Sequence, residues 1–310
     1  MINVQFSARD ERWDSYQAPL SKACKDLGLQ IDLRRNFEDP SIVDYIVFAP
    51  NGPLEDFRPY TNVKAVLSLW AGVEQLIKNT TLNSPTTRMV DDGLREGMVE
   101  WVTGHVLRHH LGMDAQIATQ DGSWSPVVPP LARNRRVTIL GLGALGQACA
   151  QALRTLNFQV SGWSRRQKDI EGLVCYAGQS GLSDALSTAE ILVLLLPQTP
   201  ETENILNAQT LAALPHGAVI LNPGRGPLID DSDLLEALET GHIAQATLDV
   251  FRQEPLPVDH PYWAHPNVTV TPHIASETRP ETASQRIAEN IFRNENGKDL
   301  LNLVDPKSGY

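Results

Sequence analysis

The sequence predicts an α/β protein made of two doubly wound parallel-sheet domains, and three observations favour this class. The chain has 310 residues, more than the roughly 100–200 residues that one domain usually holds. Short apolar runs rich in β-branched residues alternate with helical patterns along most of the chain, as in parallel sheets covered by helices. A glycine-rich turn, GLGALG at 141–146, stands between one such run and a helical pattern.

The apolar pattern places the elements in order. It predicts early strands at 2–6, 43–48 and 63–68, followed by a long helix over 98–113 whose valines recur every three or four residues. Residues 118–134, rich in Gly, Ser and Pro, are expected to form an irregular connection. The remaining strands are expected at 136–140, 158–161, 191–196, 219–222, 246–249 and 268–271, and further helices at 232–239 and 282–296.

Composition excludes several classes of partner. A net charge of −11 disfavours nucleic acid and anionic membranes, although a local arginine cluster still permits an anionic substrate. The three cysteines are far apart and form no CxxC pair, which fits a reducing cytoplasm. The N-terminus lacks the pattern of a signal peptide, and no apolar run approaches the roughly 20 residues that span a bilayer. We expect a cytoplasmic protein without a membrane or nucleic-acid partner.

The glycine-rich turn is typical of a dinucleotide site. Gly141 would permit the tight turn, Gly143 the approach of a pyrophosphate, and Gly146 the close packing of helix on strand. The phosphates would lie against the helix N-terminus, beside Ala144 and Leu145. A glycine-rich turn without a ligand is the alternative, but the succession of strand, turn, helix and strand favours dinucleotide binding.

The end of the next strand indicates which dinucleotide binds. Residues 160–166 read VSGWSRR, and no acidic residue occurs before Asp169. Sites specific for NAD usually place a carboxylate there for the ribose 2′-hydroxyl, whereas Ser164, Arg165 and Arg166 suit a 2′-phosphate. A solvated arginine pair is the structural alternative. The sequence therefore predicts a preference for NADP(H), with NAD(H) as the second choice.

Three further motifs follow predicted strands: NPGRG at 222–226, DVFRQEP at 249–255 and TPH at 271–273. In this order behind GLGALG, they resemble the D-isomer-specific 2-hydroxyacid dehydrogenase family. The motifs span residues 136–274, and the alternating pattern before them fits the substrate domain of that family. The TPHIASETRP stretch and the terminal Gly309–Tyr310 resemble the glyoxylate/hydroxypyruvate reductase A type within it.

The resemblance implies a catalytic set of Arg225, Glu254 and His273. Hydride transfer to the carbonyl carbon of a 2-oxo acid leaves charge on the oxygen, and a histidine is the natural proton donor near neutral pH. Glu254 would orient His273 and favour its charged form, while Arg225 would bind the substrate carboxylate. Each residue alone also fits a structural ion pair, a solvated carboxylate or a strand-end imidazole. Together behind a dinucleotide turn they favour the catalytic interpretation.

The resemblance also implies substrate and cofactor contacts. The 69–73 loop would grip the substrate carboxylate, with Trp70 standing where the family commonly has a small residue; the substrate candidates are Trp70, Ala71, Gly72 and Arg279, besides Arg225. Packing is the alternative role of Trp70, and a surface ion pair that of Arg279. Asp249 would receive the nicotinamide carboxamide, and strand-end capping is its alternative. The other cofactor candidates are Leu196, Pro197 and Thr199 near the adenosine, and Pro223 and Gly224 near the nicotinamide.

Together these patterns predict a reductase that reduces a small 2-oxo acid, such as glyoxylate or hydroxypyruvate, with NADPH. A Rossmann cofactor domain over 99–275 is expected, with a discontinuous flavodoxin-like substrate domain from 1–98 and 276–310. The 98–113 helix would pack in a homodimer, and a cleft between the domains would close on substrate. No metal is expected, although His105 and His109 have ligand spacing. Two alternatives stay open: a different substrate, such as a larger 2-oxo acid, phosphite or formate, or a dinucleotide-sensing protein with vestigial activity.

Overall fold

The computed structural model describes residues 1–305. Gly309–Tyr310, which contributed to the resemblance noted above, lie outside the described residues. The chain divides into two compact units. The first comprises Met1–Leu94 together with the chain from Glu277 onward, and the second comprises Arg95–Ser276. The sequence-based boundaries lie at 98/99 and 275/276. No helix within residues 1–305 is long and apolar enough to cross a membrane.

The elements follow one another as short strands and helices. The strands are β1 (Ile2–Ser7), β2 (Ile31–Arg34), β3 (Tyr45–Phe48), β4 (Ala65–Ser68), β5 (Thr86–Thr87), β6 (Arg136–Leu140), β7 (Gln159–Ser164), β8 (Val174–Ala177), β9 (Ile191–Leu194), β10 (Ala218–Asn222), β11 (Ile243–Leu248) and β12 (Val268–Val270). The helices are α1 (Asp10–Asp26), α2 (Glu74–Lys78), α3 (Asp92–Leu111), α4 (Met113–Ala118), α5 (Ala144–Thr155), α6 (Gly178–Ser187), α7 (Ala208–Ala212), α8 (Asp231–Glu239) and α9 (Pro280–Glu295).

The first unit contains a parallel sheet in the order β2-β1-β3-β4-β5. Alternate residues of its central strands enter two separate cores, because side chains of a strand point to opposite faces. One core includes Val4 and Tyr45 with residues of α1 and α9, and the other includes Ile46 and Val66. Both faces of this sheet are therefore covered, as the predicted doubly wound class requires.

The second unit contains a parallel sheet in the order β12-β11-β10-β9-β6-β7-β8. The strand order reverses at β6, because β7 lies on one side of it and β9 on the other. Ligands of such sheets bind beyond the carboxyl ends of the strands at this switch point. The two parallel sheets confirm the predicted fold class, and the turn after β6 lies at the position where a ligand is expected.

The strands that the sequence pattern did not predict lie at sheet edges. β2, β5 and β8 are edge strands, and no residue of β8 is fully buried. An edge strand has only one neighbour and stays partly exposed, so it lacks the continuous apolar run that marks a central strand. α3 begins at Asp92, six residues before the predicted start. The expected irregular connection at 118–134 contains only the end of α4 and a short 3₁₀ turn at Ala132–Asn134.

Replacing a large buried side chain of α5 by a small one tests the core of the second unit. Leu153 is fully buried, whereas Leu156 directly after the helix is 39% exposed. We expect Leu153→Ala to lower the free energy of unfolding by about 2–5 kcal/mol, because it leaves a cavity. Leu156→Ala, the matched control, should cost clearly less. Urea unfolding followed by circular dichroism measures both, and equal losses would contradict the assigned packing of α5.

Candidate active site

The glycine-rich turn leaves room for a ligand at the N-terminus of α5. Gly141 has a φ of +109°, and a Cβ there would lie 2.4 Å from the carbonyl oxygen of Leu195. A Cβ on Gly146 would lie 1.9 Å from the carbonyl oxygen of Gly141. In contrast, a Cβ on Gly143 would meet nothing within 4 Å. Gly143 also provides no side-chain cap for the N–H groups of Ala144 and Leu145, so this helix end suits a phosphate.

Cationic side chains follow β7 next to this turn. Ser164 is buried and its hydroxyl donates to the carbonyl oxygen of Arg166, while Arg165 and Arg166 are exposed. The Nζ of Lys168 donates to the carbonyl oxygen of Leu142, inside the glycine-rich turn, at 2.5 Å. The sequence analysis did not select Lys168. Lys168 lies only two residues after Arg166, and a third cation so soon after the serine–arginine group was the available signal. A positive region beside the phosphate-binding turn favours a dinucleotide with an additional phosphate.

Hydrogen bonds fix the two loops that the sequence analysis assigned to the cofactor. After β9, the hydroxyl of Thr202 donates to the carbonyl oxygen of Pro197 at 2.7 Å and accepts from the N–H of Thr199 at 2.8 Å. After β10, Asn222 accepts from the N–H of Gly224 and donates to the carbonyl oxygen of Arg225. The side chain of Leu196 is buried beside the first loop. Both loops follow the carboxyl ends of strands next to the switch point.

His273 and Glu254 form a hydrogen-bonded pair. The Nδ1 of His273 lies 2.7 Å from Oε2 of Glu254, and the other oxygen, Oε1, accepts from the N–H of Phe251 at 2.9 Å. The side chain of His273 is 52% exposed and that of Glu254 is 35% exposed. The pair thus has one face open to solvent. Because Glu254 takes Nδ1, the other ring nitrogen, Nε2, is the one that a substrate would meet.

Electrostatics favour the charged form of this pair. The hydrogen bond that His273 donates to Glu254 raises the pKa of His273 above its ordinary value, although burial lowers it. Burial raises the pKa of Glu254, but the bonds from His273 and Phe251 outweigh it, so this pKa is below its ordinary value. The charge of Arg225 lowers both pKa values. Arg225 also donates from Nη1 to the carbonyl oxygen of Gly224 at 2.7 Å. The three residues from separate motifs therefore act on one another.

Asp249 holds the turn that carries His273. Its carboxylate is fully buried and accepts from the hydroxyl of Thr271 and from the N–H groups of Ile274 and Ala275. Its carbonyl oxygen accepts from the N–H of His273 at 2.8 Å, and His273 has a φ of +54°. The sequence analysis assigned Asp249 to the nicotinamide carboxamide. The structure gives this carboxylate a structural role at the end of β11, as the alternative of strand-end capping suggested, with partners more than twenty residues away that the sequence did not identify.

The predicted substrate residues of the first unit lie close together within that unit. The Trp70 loop follows β4, and its N–H and carbonyl groups are bonded to the hydroxyl of Ser68 and the N–H of Met89. The hydroxyl of Thr278 donates to the carbonyl oxygen of Leu69 at 2.7 Å, which places the segment before Arg279 on this loop. The indole of Trp70 is 39% exposed, and Ala71 and Gly72 are half-buried. Arg279 caps the N-terminus of α9 with its backbone carbonyl.

The histidines with ligand spacing have other tasks. Within the second unit, His109 bonds through Nδ1 to Gln245 and through Nε2 to Thr247, each at 2.9 Å. His105 stacks against Trp101, and burial lowers its pKa to about 4. Among residues 1–305, no group of three or more His, Cys, Asp or Glu side chains is arranged to hold a metal ion. His109 therefore bonds α3 to β11 of its own unit, whereas His105 contacts another residue of the same helix.

A phosphate-binding type of turn and a hydrogen-bonded histidine–carboxylate pair in one unit are the arrangement expected of a dinucleotide-dependent oxidoreductase. Comparison with known proteins specifies it further. The model of the family described as D-isomer specific 2-hydroxyacid dehydrogenase, NAD binding domain, matches residues 103–275. The chain belongs to this family.

Similar proteins include two curated reductases. The chain is 40% identical over 281 residues to the glyoxylate/hydroxypyruvate reductase A of Serratia proteamaculans (strain 568), a match that covers 88% of this chain and 89% of that protein. It is 39% identical over 281 residues to the glyoxylate/hydroxypyruvate reductase A of Yersinia enterocolitica, with the same 88% and 89% coverage.

Solved structures are similar over the full length. A D-isomer specific 2-hydroxyacid dehydrogenase from Xanthobacter autotrophicus Py2, in complex with NADPH and MES, has a TM-score of 0.92 at 41% identity, over 100% of this chain and 99% of that one. The NADPH-dependent glyoxylate/hydroxypyruvate reductase of Sinorhizobium meliloti, in complex with NADP and sulfate, has a TM-score of 0.89 at 33% identity with the same coverage.

The role of Glu254 in setting the proton affinity of His273 is testable by titration. We expect Glu254→Gln to lower the pKa of His273, because the amide removes the negative charge that stabilises the imidazolium. NMR titration of the histidine ring measures this directly. Glu289→Gln, on α9 of the first unit, is the control and should leave the titration unchanged. An unchanged pKa in Glu254→Gln would contradict the assigned pair.

Proposed function

We propose that the protein reduces a small 2-oxo acid, of the glyoxylate or hydroxypyruvate type, to the 2-hydroxy acid with NADPH. The observation that carries this proposal is the hydrogen bond between His273 and Glu254 in a unit that also presents a phosphate-binding turn. Family membership narrows the chemistry to 2-hydroxy and 2-oxo acids. The curated reductases described above support the small substrates.

The residues of the chain perform the acid–base part of the reaction. When bound, NADPH would supply the hydride that the carbonyl carbon of the substrate needs. His273, protonated at Nε2, donates its proton to the carbonyl oxygen as charge develops there. Glu254 stabilises the imidazolium before that transfer and fixes the ring through Nδ1. Arg225 binds the substrate carboxylate and polarises its carbonyl group. One hydride and one proton thus convert the carbonyl into the hydroxyl.

The cationic end of β7 supports NADP(H) over NAD(H). Arg165 and Arg166 are exposed, and the ammonium of Lys168 lies on the glycine-rich turn. No carboxylate occurs between the end of β7 and Asp169 to favour a free ribose 2′-hydroxyl. The relatives from Xanthobacter and Sinorhizobium were solved with NADPH and NADP. In this proposal, Asp249 additionally meets the nicotinamide carboxamide, and Leu196, Pro197, Thr199, Pro223 and Gly224 line the cofactor.

The proposal extends to assembly and location. A homodimer is supported by large apolar side chains that a single copy leaves exposed on the segment after α3. Ile117 is 68% exposed, Trp124 is 96% exposed and Val128 is 88% exposed. Burying such a patch against a second copy would remove it from water. A cytoplasmic location is supported by cysteines that are all free, since oxidising compartments favour disulfides.

The function is tested by following NADPH oxidation at 340 nm with glyoxylate, hydroxypyruvate, pyruvate and phenylpyruvate, and by repeating the series with NADH. We expect turnover of glyoxylate and hydroxypyruvate, and a lower KM for NADPH than for NADH. The cationic strand end is the physical reason for the cofactor preference, since it attracts the 2′-phosphate. A lower KM for NADH would contradict that preference.

His273→Ala is the control variant for the same assay. It should lose about 100-fold or more of kcat through loss of the general acid, while NADPH binding stays close to that of the unchanged protein. Retained kcat would refute the catalytic role of His273. NADPH binding without turnover of any acid by the unchanged protein would favour the sensing protein instead.

Trp70 is our proposed determinant of substrate size. We expect Trp70→Ala to raise kcat/KM for phenylpyruvate relative to glyoxylate by about tenfold, because a pocket that loses bulk discriminates less against a larger side chain. Trp263→Ala removes a similarly exposed indole, 51% exposed, from the second unit and is the matched control. An unchanged ratio in Trp70→Ala would assign the indole to packing. The same assay on Arg279→Ala distinguishes a substrate contact from a surface ion pair.

A further inference from the structure

Arg252 connects two loops of the second unit. It lies in the DVFRQEP motif, two residues before Glu254. Its guanidinium Nη2 donates to the carbonyl oxygen of Ile229 at 2.6 Å, lies 3.4 Å from that of Pro227, and contacts the amide oxygen of Asn204. Residues 227 and 229 lie two and four positions after Arg225 along the chain. One side chain therefore bonds the loop of Glu254 to the segment that continues from Arg225.

The two segments also touch through their backbones. A Cβ on Gly226 would lie 2.0 Å from the carbonyl carbon of Phe251 and 2.5 Å from the backbone nitrogen of Arg252. Glycine at 226 is thus what allows this approach. On the other side of the loop, the N–H of Phe251 donates to Oε1 of Glu254. A displacement of the loop away from residues 226–229 would therefore move the carboxylate that binds His273.

The contacts of Arg252 depend on shape more than on charge. Its guanidinium is 3.7 Å from Glu203 and 3.8 Å from Asp231, and the side chain is 33% exposed. Partly exposed ion pairs at such distances contribute little. The bonds to Ile229, Pro227 and Asn204 all come from one nitrogen, Nη2, whose hydrogens are held in fixed directions by the planar guanidinium. A lysine reproduces the charge, but its ammonium rotates freely and is more strongly hydrated, so it does not reproduce those fixed directions.

We propose that Arg252 is a positioning residue, which holds the 251–254 loop against residues 227–229 and thereby keeps Glu254 in place for its bond to His273. Arg252 itself touches no reacting group in this proposal. Its influence on turnover passes through Glu254, so the inference rests on the proposed function for its kinetic readout. Its influence on the His273 ring can be measured without any turnover.

The proton affinity of His273 reports on the position of Glu254. The charged groups that act on the ring are Glu254 and Asp249, which raise its pKa, and Arg225, which lowers it. Removing the positive charge of Arg252 would by itself raise the pKa of His273, because an imidazolium is repelled by nearby cations. Loosening the Glu254 bond would lower it. The two effects have opposite signs, so the direction of the shift distinguishes positioning from a simple charge effect.

The experiment compares Arg252→Met with the unchanged protein by NMR titration of His273 and by kcat against pH. We expect the pKa of His273 to fall, and kcat at pH 8 to drop by about tenfold, as a misplaced catalytic group would cause. The drop should be smaller at pH 6, because a lower pH compensates for a lowered pKa of His273, and the KM for NADPH should not change. Arg252→Lys should recover only part of the loss.

Arg293→Met is the control, because that arginine also donates to a backbone carbonyl, of Asp299 at 2.7 Å, but within the first unit. It should leave both readouts unchanged. An unchanged or raised pKa of His273 in Arg252→Met would overturn the proposal. So would a loss of kcat that is equal at every pH and accompanied by a lower Tm.

The two levels of the proposal fail separately. If the unchanged protein reduces none of the acids, the proposed function fails, and the NMR shift still decides the role of Arg252. If the unchanged protein is active and Arg252→Met has the same pKa of His273 and the same kcat, only the positioning role fails. If Arg252→Met does not fold, Arg252→Lys decides by the same direction of the pKa shift.

Discussion

The carboxylate of Asp249 accepts three hydrogen bonds from residues 271–275, its backbone carbonyl accepts a fourth from His273, and its side chain has no exposure to solvent. A buried carboxylate costs several kcal/mol unless donors compensate for the lost water. Here the donors are the hydroxyl of Thr271 and two backbone N–H groups, all from the turn that presents His273. That turn places a non-glycine residue at a φ of +54°, a conformation that costs about 1–2 kcal/mol. The buried charge and the strained turn stabilise one another.

The pair of His273 and Glu254 is built outward from this anchor. Glu254 uses one oxygen for the backbone of its own loop and the other for the imidazole, so neither partner is free to rotate away. The pair remains partly exposed, which is compatible with the proposed role of His273 as a proton donor. Two other titratable groups of the second unit have the opposite character. The thiol of Cys149 and the imidazole of His105 are shifted towards their neutral forms by burial, and both serve packing.

Local charge and total charge have different consequences in this protein. The chain carries a net charge of −11, which disfavours polyanionic partners. The end of β7 nevertheless concentrates arginines and a lysine beside an uncapped helix N-terminus. A phosphate responds mainly to charges within about one Debye length, roughly 8–10 Å. Hence an acidic protein can present a site for an anionic cofactor, because the local charge at the site outweighs the net charge of the chain.

The sequence by itself determined the fold class, the switch-point turn and the strand ends where polar motifs collect, because periodicity and glycine chemistry are local properties of the chain. GLGALG could be interpreted from its own spacing, and the central strands from their unbroken apolar runs. The sequence did not reveal β2, β5 and β8, whose half-exposed pattern reflects their position at a sheet edge. Nor did it reveal that Lys168 reaches the glycine-rich turn, that Asp249 holds the His273 turn, or that Arg252 spans two loops. Each of these is a contact between residues more than twenty positions apart, and such contacts exist only after the strands have paired and brought their ends together.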